Sequence, residues 1–228
     1  MLELFIANKN YSSWSLRPWL LMRELEVPFA ERMVRFDDRE AWAGLRASAR
    51  ATKVPMLRDG EVWVWESLAI VEYVAERHAG VWPADAAARA WARSASAEMH
   101  AGFTALRGTC SMSCGVRVRL GERSAALEAD LRRLVALWED GLGRFGGPWL
   151  AGAALSAVDA FFAPVAFRAQ TYGLALGEVG DAYVRRLRDR PAMREWYAAA
   201  LAEPWRDAPH DAEIAAAGEV TADLRAGA

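Results

Sequence analysis

Two adjacent hydroxyl side chains, Ser12 and Ser13, stand at the junction between two predicted elements. They follow a short apolar strand at residues 2–7 and precede a helical pattern at residues 16–25. The first backbone N–H groups of a helix have no partner within it, and with the helix dipole they favour negative charge. A hydroxyl at that point also donates a hydrogen bond, so the pair suits an anion, of which a thiolate is one candidate.

The same serines also suit a structural role at the start of the helix. Serine is a preferred N-cap, and Pro18 in the first turn needs no backbone donor. Taken alone, the serine pair is more typical of a cap than of a binding site. The functional hypothesis therefore depends on motifs further along the chain.

The segments after this junction predict an α/β layer. Residues 29–36 predict a second strand and residues 38–49 a short helix. Two β-rich runs flank Asp59 and Gly60 and predict a hairpin, and an apolar stripe at helical spacing follows from Leu68. The order β-α-β-α-β-β-α combines a parallel βαβ half with a hairpin and a covering helix.

The rest of the chain predicts helices. Residues 79–84 have the composition of a linker. Ser156 and Asp159 form a capping box whose role is structural, and the tail after Pro204 is expected to be loosely ordered. The other helices are predicted at residues 86–106, 124–145, 180–188 and 191–201.

The composition excludes several classes of protein. The chain has 228 residues, of which 54% are hydrophobic and 25% charged, as in a folded globular protein of one large or two modest domains. Its net charge of −2 gives no electrostatic case for binding nucleic acid or an anionic membrane. No apolar run predicts a membrane span, and no secretion signal is expected. Two cysteines indicate a reduced, cytoplasmic protein.

Three motifs, in this order, resemble those of the glutathione transferases. Residues 12–17, Ser-Ser-Trp-Ser-Leu-Arg, are similar to the Ser-Ser-Cys-Ser-Trp-Arg motif of the zeta class, the maleylacetoacetate isomerases. Residues 53–55, Lys-Val-Pro, resemble the family's cis-proline turn, and residues 66–70 resemble its glutathione motif. The resemblance covers nearly the whole chain. It implies a thioredoxin-like domain at residues 1–78, a linker at 79–85 and an all-helical domain at 86–228.

The resemblance implies a cytoplasmic detoxification enzyme, a transferase or isomerase, that binds glutathione as a thiolate and adds it to a small electrophile. Glutathione is then a co-substrate, and no metal is required. The position of Ser12 in the motif makes it the first candidate for the thiol contact, with Ser13 second and Tyr11 third. Lys53 or Arg17 would meet the glycyl carboxylate, although a solvated surface charge is the alternative for either.

The other two motifs imply contacts to the peptide. A cis Val54–Pro55 bond would turn the Val54 backbone groups towards the cysteinyl part, as in strand pairing. Ser67, at the start of a helix, would take the γ-glutamyl carboxylate, and Glu66 the ammonium of the same group. A plain N-cap is the alternative for Glu66 and Ser67, and both roles can hold together.

The sequence is also compatible with other functions. A non-catalytic binding module on the same fold is one, since fold does not establish function. A thiol reductase using Cys110 and Cys114 is another: residues 108–115 predict a bend or loop, where the two thiols could approach on one helical face. Two inert cysteines are the alternative. The three histidines, His78, His100 and His210, show no metal-ligand spacing. Eleven tryptophans, eight phenylalanines and the resemblance together predict a homodimer, with the α/β domain of one subunit against the helical domain of the other, because aromatic residues are enriched at interface cores. The alternative is a monomer whose aromatic residues line the electrophile pocket.

Overall fold

The first seven elements of the computed structural model, which describes residues 1–49 and 51–227, form a four-stranded sheet with its helices. The strands lie in the order β2-β1-β3-β4, with β1 parallel to β2 and the other pairs antiparallel. The element order along the chain, β-α-β-α-β-β-α, is the predicted one, and the fold is thioredoxin-like. The elements are β1 (Leu2–Ile6), α1 (Ser13–Glu24), β2 (Phe29–Met33), α2 (Arg39–Ala49), β3 (Met56–Asp59), β4 (Val62–Trp65) and α3 (Ser67–Ala75).

The predicted hairpin is present, and its turn has the expected chemistry. Asp59 pairs with Val62 across a two-residue loop that begins at Gly60. Gly60 has φ +59°, a left-handed conformation that glycine adopts without steric cost. On the other side of β3, Leu57 pairs with Leu4, and both side chains are fully buried. The hairpin therefore extends the sheet from its central strand β1.

The second half of the chain is helical, as predicted, with one addition. Strands β5 and β6 form a separate antiparallel pair, although their positions lie 100 residues apart at Arg119 and Glu219. No described helix is long and apolar enough to cross a membrane. The elements are α4 (Ala86–Ala101), α5 (Thr104–Thr109), β5 (Val116–Leu120), α6 (Ala125–Phe145), α7 (Ala157–Tyr172), α8 (Gly177–Arg188), α9 (Pro191–Ala202), α10 (Ala208–Ala216) and β6 (Gly218–Asp223).

Two predictions for this half were wrong in detail. The single helix predicted at residues 86–106 is two helices, because Gly102 and Phe103 interrupt it and Phe103 has φ +54°. The tail after Pro204 is ordered rather than loose: it forms α10 and β6, and Ile214 is buried in the core. Local sequence missed this order because the tail is stabilised by pairing with distant β5.

Helix α7 is the centre of the helical half, and the predicted capping box begins it. The buried Asp159 carboxylate accepts hydrogen bonds from the backbone N–H groups of Ser156 at 2.9 Å and Leu150 at 3.0 Å. It also accepts a bond from the Tyr183 hydroxyl at 2.9 Å. Burial raises the pKa of Asp159 to about 6 despite these donors. The box thus ties the start of α7 to the turn before it and to α8.

Candidate functional site

The serine pair lies at the start of α1, which begins three residues earlier than the predicted helix. Ser12 is the N-cap and Ser13 the first helical residue. The Ser12 hydroxyl donates to the Ser15 hydroxyl at 2.7 Å, and Ser15 in turn accepts from the Ala7 backbone N–H at 3.2 Å. The Ser13 hydroxyl makes no hydrogen bond to any residue that the structure describes. The Ser13 hydroxyl is therefore free to donate to a ligand, whereas the Ser12 hydroxyl would first have to give up its bond to Ser15.

Backbone donors at the same helix end are also free. The N–H groups of Trp14 and Ser15 have no hydrogen-bond acceptor within residues 1–49 and 51–227, and the Ser12 side chain caps neither. The Ser13 N–H is bonded to the Tyr11 carbonyl at 2.9 Å. An anion placed at this helix end would meet unsatisfied donors and the positive end of the dipole.

The loop before α1 is held by three residues from the helical half of the chain. The Glu203 carboxylate accepts from the backbone N–H groups of Lys9 at 2.6 Å and Asn10 at 3.2 Å. The Asn10 side-chain oxygen accepts from the N–H groups of Cys114 and Gly115, each at 3.0 Å. These bonds fix the loop from both sides, and so they fix where α1 begins.

Tyr11 is the third predicted candidate for the thiol contact, and its hydroxyl is already engaged. It donates to Asp211 at 2.9 Å and accepts from Arg225 at 2.7 Å and from the Asp207 backbone N–H at 3.3 Å. Burial raises the pKa of Tyr11 to about 12. The tyrosine ties the loop before α1 to the C-terminal segment.

A cavity of about 820 Å³ opens beside the start of α1. One wall comes from the α/β part and includes Ser12, Ser13 and Lys53; the other comes from the helical part and includes Arg107, Arg168 and His210. Its volume is typical of a site for a small molecule. The predicted serines thus face a space that both halves of the chain enclose.

A second cavity, of about 430 Å³, adjoins the first and holds more of the predicted residues. It is lined by Lys53, Val54, Pro55 and Glu66, and it shares Lys53 and Val54 with the larger cavity. The Val54–Pro55 bond is cis, as predicted. The two cavities together form one cleft along the predicted peptide-binding motifs.

Arg17 and Ser67, in contrast, line neither cavity. Arg17 is 2% exposed and lies between the rings of Trp14, at 4.0 Å, and Phe161, at 5.1 Å. Its Nε and Nη1 atoms have no partner in the described part of the chain. Burial, with the nearby positive charge of Arg107, lowers its pKa. Ser67 is fully buried, and its hydroxyl has no partner among the same residues.

The lining of the larger cavity is rich in positive charge. Of its charged residues, Arg46, Lys53, Arg107 and Arg168 are cations, and none forms an ion pair with a carboxylate of residues 1–49 or 51–227. Arg168 is 5% exposed; burial lowers its pKa to about 10, so it stays charged at neutral pH. Glu213 is the acidic side chain in the lining, and it accepts from the Ser111 hydroxyl at 2.9 Å. The excess of cations favours an anionic ligand.

Two family models match this chain, one on each half. The N-terminal domain of glutathione S-transferase matches residues 11–77, and the C-terminal domain matches residues 121–199. The chain belongs to the glutathione S-transferase superfamily. A sequence comparison with curated proteins found no match.

Solved structures of glutathione transferases share the fold of this protein. A glutathione transferase homolog from Burkholderia, with bound glutathione, has a TM-score of 0.64 at 21% identity over 87% of this chain and 97% of that chain. An unclassified silkworm (Bombyx mori) glutathione S-transferase has a TM-score of 0.71 at 17% identity over 96% and 99%. A Tau class enzyme from mango has a TM-score of 0.67 at 20% identity over 86% and 92%. At these identities the likeness establishes the fold alone.

The two cysteines of this transferase-family protein are inert in their surroundings. Cys110 and Cys114 are free and fully buried. Burial raises the pKa of Cys110 to about 11 and that of Cys114 further. They do not share a helical face, because α5 ends at Thr109 and Cys114 lies in the loop before β5; a bend or loop was predicted at residues 108–115. Within the described residues, no group of His, Cys, Asp and Glu side chains is arranged to hold a metal ion.

Sequence reasoning missed the residues that position the candidate site. Glu203 and Arg225 hold the loop before α1, and nothing in their local sequence marks them. His210 lines the larger cavity, whereas the sequence indicated only that it was not part of a metal motif. Asn10 stood beside the serine motif, and that proximity was the one available signal.

Proposed function

We propose that this protein binds glutathione as a thiolate and adds it to a small electrophile. The observation that carries the proposal is the start of α1, where free N–H groups and the Ser13 hydroxyl meet a cavity with unpaired cations. Glutathione is an anion with a thiol and two carboxylates, so it matches both the donors and the charge. The bound glutathione of the Burkholderia homolog supports the same ligand class.

The thiol can be ionised here without a metal. A free thiol has a pKa of about 8.5, and for the thiolate to predominate at neutral pH this pKa must fall by about 2, or about 3 kcal/mol. One charge-assisted hydrogen bond contributes about 1.5–3 kcal/mol and a helix N-terminus about 0.3–2 kcal/mol. Ser13 can supply that bond directly. Ser12 can supply it by giving up its bond to Ser15, a neutral bond of about 1 kcal/mol.

The smaller cavity suits the rest of the peptide. Val54 offers its backbone for strand-like pairing, and Lys53 lies where it can meet a carboxylate. Glu66 can meet the γ-glutamyl ammonium, with Ser67 at the start of α3 as the proposed partner of that group's carboxylate. Arg17 does not contact glutathione in this proposal; it lies against the Trp14 ring and contributes a buried positive charge near the site.

The larger cavity extends beyond the thiol position and would hold the electrophile. Phe36, Trp42 and Met112 supply apolar walls, and Arg107 and Arg168 supply positive charge. This combination suits a small, partly apolar electrophile, as in detoxification chemistry. A zeta-like isomerase activity on a cis-enone acid fits the same cavity and the serine motif.

The thiolate can be measured by its ultraviolet absorbance when glutathione is bound. We expect the bound thiol of the unmodified protein to titrate near pH 6.5, about 2 units below a free thiol. Ser13→Ala or Ser12→Ala should raise that pKa by about 1–2 units through loss of one charged hydrogen bond. Ser94→Ala, a hydroxyl on the surface of α4, serves as the control. An unchanged thiolate band in both active-site variants would refute the proposal.

A non-catalytic binding protein is the second candidate function. The burial of Arg17 and Ser67 outside both cavities favours it, because a direct contact to glutathione would need them to be reached. Thermal unfolding with glutathione separates the cases: at about 100 times Kd, a ligand adds about 2.7 kcal/mol of stability. No shift at millimolar glutathione would support the non-catalytic binding or interaction protein.

A further inference from the structure

An imidazole held by a carboxylate faces the larger cavity from the start of α10. His210 Nδ1 lies 2.5 Å from Asp207 Oδ2, and the same oxygen accepts the His210 backbone N–H at 3.3 Å. The Asp207 side chain is 12% exposed. Because Nδ1–H donates to this carboxylate, the other ring nitrogen, Nε2, is left as a proton acceptor.

The ring is fixed where it can reach a ligand. It packs between Tyr11 and Phe36, with ring centroids 5.2 Å and 4.7 Å away. It lines the same cavity as Ser12 and Ser13. Nε2 makes no hydrogen bond to any residue of the described ranges. An oriented and uncommitted base therefore shares the cavity with the thiol site.

The other polar groups near the imidazole are already engaged. The Tyr11 hydroxyl is bonded to Asp211 and Arg225, and burial raises its pKa to about 12. Glu213 accepts from the Ser111 hydroxyl. Arg168, across the cavity, is a cation and takes no proton at neutral pH.

We propose that His210 is the general acid–base of the reaction, with Asp207 as its positioning residue. This inference rests on the proposed function. As the thiol ionises, its proton passes to Nε2, while the helix N-terminus and a serine hydroxyl hold the thiolate. The serines set how much thiolate is present, and the histidine moves the proton.

The step balances for an α,β-unsaturated ketone. The thiolate sulfur forms a bond to the β-carbon, the C=C π pair becomes a π bond between the α-carbon and the carbonyl carbon, and the C=O π pair moves to the oxygen, which gives an enolate. The His210 imidazolium then returns its proton to the α-carbon. The net reaction adds S–H across the double bond, and it needs no oxidant, reductant or further reactant.

A purely structural role for the same pair predicts different results. Asp207 is the N-cap of α10, and its carboxylate accepts the backbone N–H of His210 as a cap does. Asparagine is as good an N-cap as aspartate. Asp207→Asn therefore preserves the cap and removes the carboxylate that orients the imidazole.

The test measures kcat with glutathione and benzylideneacetone, a simple enone. We expect His210→Ala to lower kcat about 100-fold, the lower end of the range for a general acid–base. Added imidazole should restore most of this loss. Asp207→Asn should lower kcat about 10-fold, and His78→Ala, a histidine near the end of α3, should leave kcat unchanged. The glutathione Kd and the thiolate band should stay the same in all three variants.

Two results would overturn the inference. One is a kcat within twofold of the unmodified protein for His210→Ala. The other is a loss of kcat that imidazole does not restore, together with an unchanged kcat for Asp207→Asn, as a cap would give. A failure of the proposed function is separate, because the unmodified protein would then bind no glutathione or give no thiolate band.

Discussion

The Arg225 guanidinium donates a hydrogen bond to the Tyr11 hydroxyl at 2.7 Å, across 214 positions of sequence. Tyr11 lies directly before the serine pair, and Arg225 follows β6. The bond is reinforced by Asp211, which pairs with Arg225 at 2.6 Å. The C-terminal segment is therefore part of the site: it holds the loop before α1 and covers one side of the larger cavity.

Tyr11→Phe should destabilise the fold without affecting the thiolate. The variant loses the bonds to Arg225 and Asp211, which we expect to cost about 1–2 kcal/mol in the free energy of unfolding. Urea unfolding measures this cost. Tyr73→Phe removes a single hydroxyl bond, to Asp59, and is the matched control, with a smaller effect. Loss of the thiolate band in Tyr11→Phe would instead identify the Tyr11 hydroxyl as the hydrogen-bond donor to the thiolate.

Lys53→Met should weaken glutathione binding about tenfold. Lys53 lines both cavities and forms no ion pair with a described carboxylate, so its charge is available to the ligand. A tenfold change in Kd corresponds to about 1.4 kcal/mol. Calorimetric titration measures it, and the difference should shrink in high salt because Lys53 is exposed. Arg132→Met, on the exposed face of α6, controls for the loss of one positive charge; equal effects of the two variants would exclude a specific contact.

Stability should fall as pH rises from about 4 to about 6, through Asp159. Its pKa of about 6 in the folded protein lies above its ordinary value of 3.8, so the folded state binds that proton more tightly. The resulting stabilisation is complete below about pH 4 and is lost as pH passes 6, an amount of about 3 kcal/mol. Chemical unfolding across this range measures it. Glu203, whose pKa burial also raises, adds a dependence of the same sign.

Asp159→Asn isolates that contribution, because asparagine does not titrate. The variant should lose most of the Asp159 part of the pH dependence and keep the Glu203 part. Asp189→Asn, which removes a carboxylate from an exposed pair with Arg194, should leave the pH dependence as it is. A variant curve parallel to that of the unmodified protein would show that Asp159 does not titrate in this range.

The double substitution of Cys110 and Cys114 by alanine should leave turnover intact. Both thiols are buried, and burial raises their pKa values, so neither is a thiolate at neutral pH. Steady-state rates with an aromatic halide and with a peroxide measure the effect. Complete loss of turnover in a folded double variant would favour the thiol-reductase hypothesis.

We predict a homodimer, and edge strand β4 offers an interface. Val62 and Trp65 on this strand are 49% and 50% exposed, and an edge strand has backbone groups free to pair with another chain. Light scattering at micromolar concentration should give about twice the 25.2 kDa mass of one chain. Trp65→Glu should shift the mass towards the monomer, whereas Val179→Glu, on α8, should not. A single species at 25.2 kDa would contradict the prediction.

Much of the fold follows from local patterns in the sequence. The β-α-β-α-β-β-α order came from hydrophobic periodicity and from the turn at Gly60, because strands and helices differ in the spacing of their apolar residues. The capping box of Ser156 and Asp159 was also recognisable from local sequence, because both partners lie within one turn of the helix. The motif resemblance added the division into two kinds of domain.

The position of the serine pair was also available from the sequence, but its chemical state was not. Ser12 and Ser13 could be placed near a helix start by pattern alone. Only the tertiary structure decided that Ser12 is bonded to Ser15 and that the Ser13 hydroxyl has no partner among the described residues. Likewise, Arg17 is adjacent to the motif in sequence, yet Trp14 and Phe161 enclose it.

Contacts between distant parts of the chain decided the rest. Glu203 holds the backbone before α1, β6 pairs with β5, and His210 faces the cavity that Ser13 also lines. None of these residues has a local sequence pattern that reveals its partner, because the partners are distant in sequence and come together only when helices and strands pack. The sequence by itself therefore determined the elements and the motif of this protein, and the tertiary structure decided which side chains share the cavity.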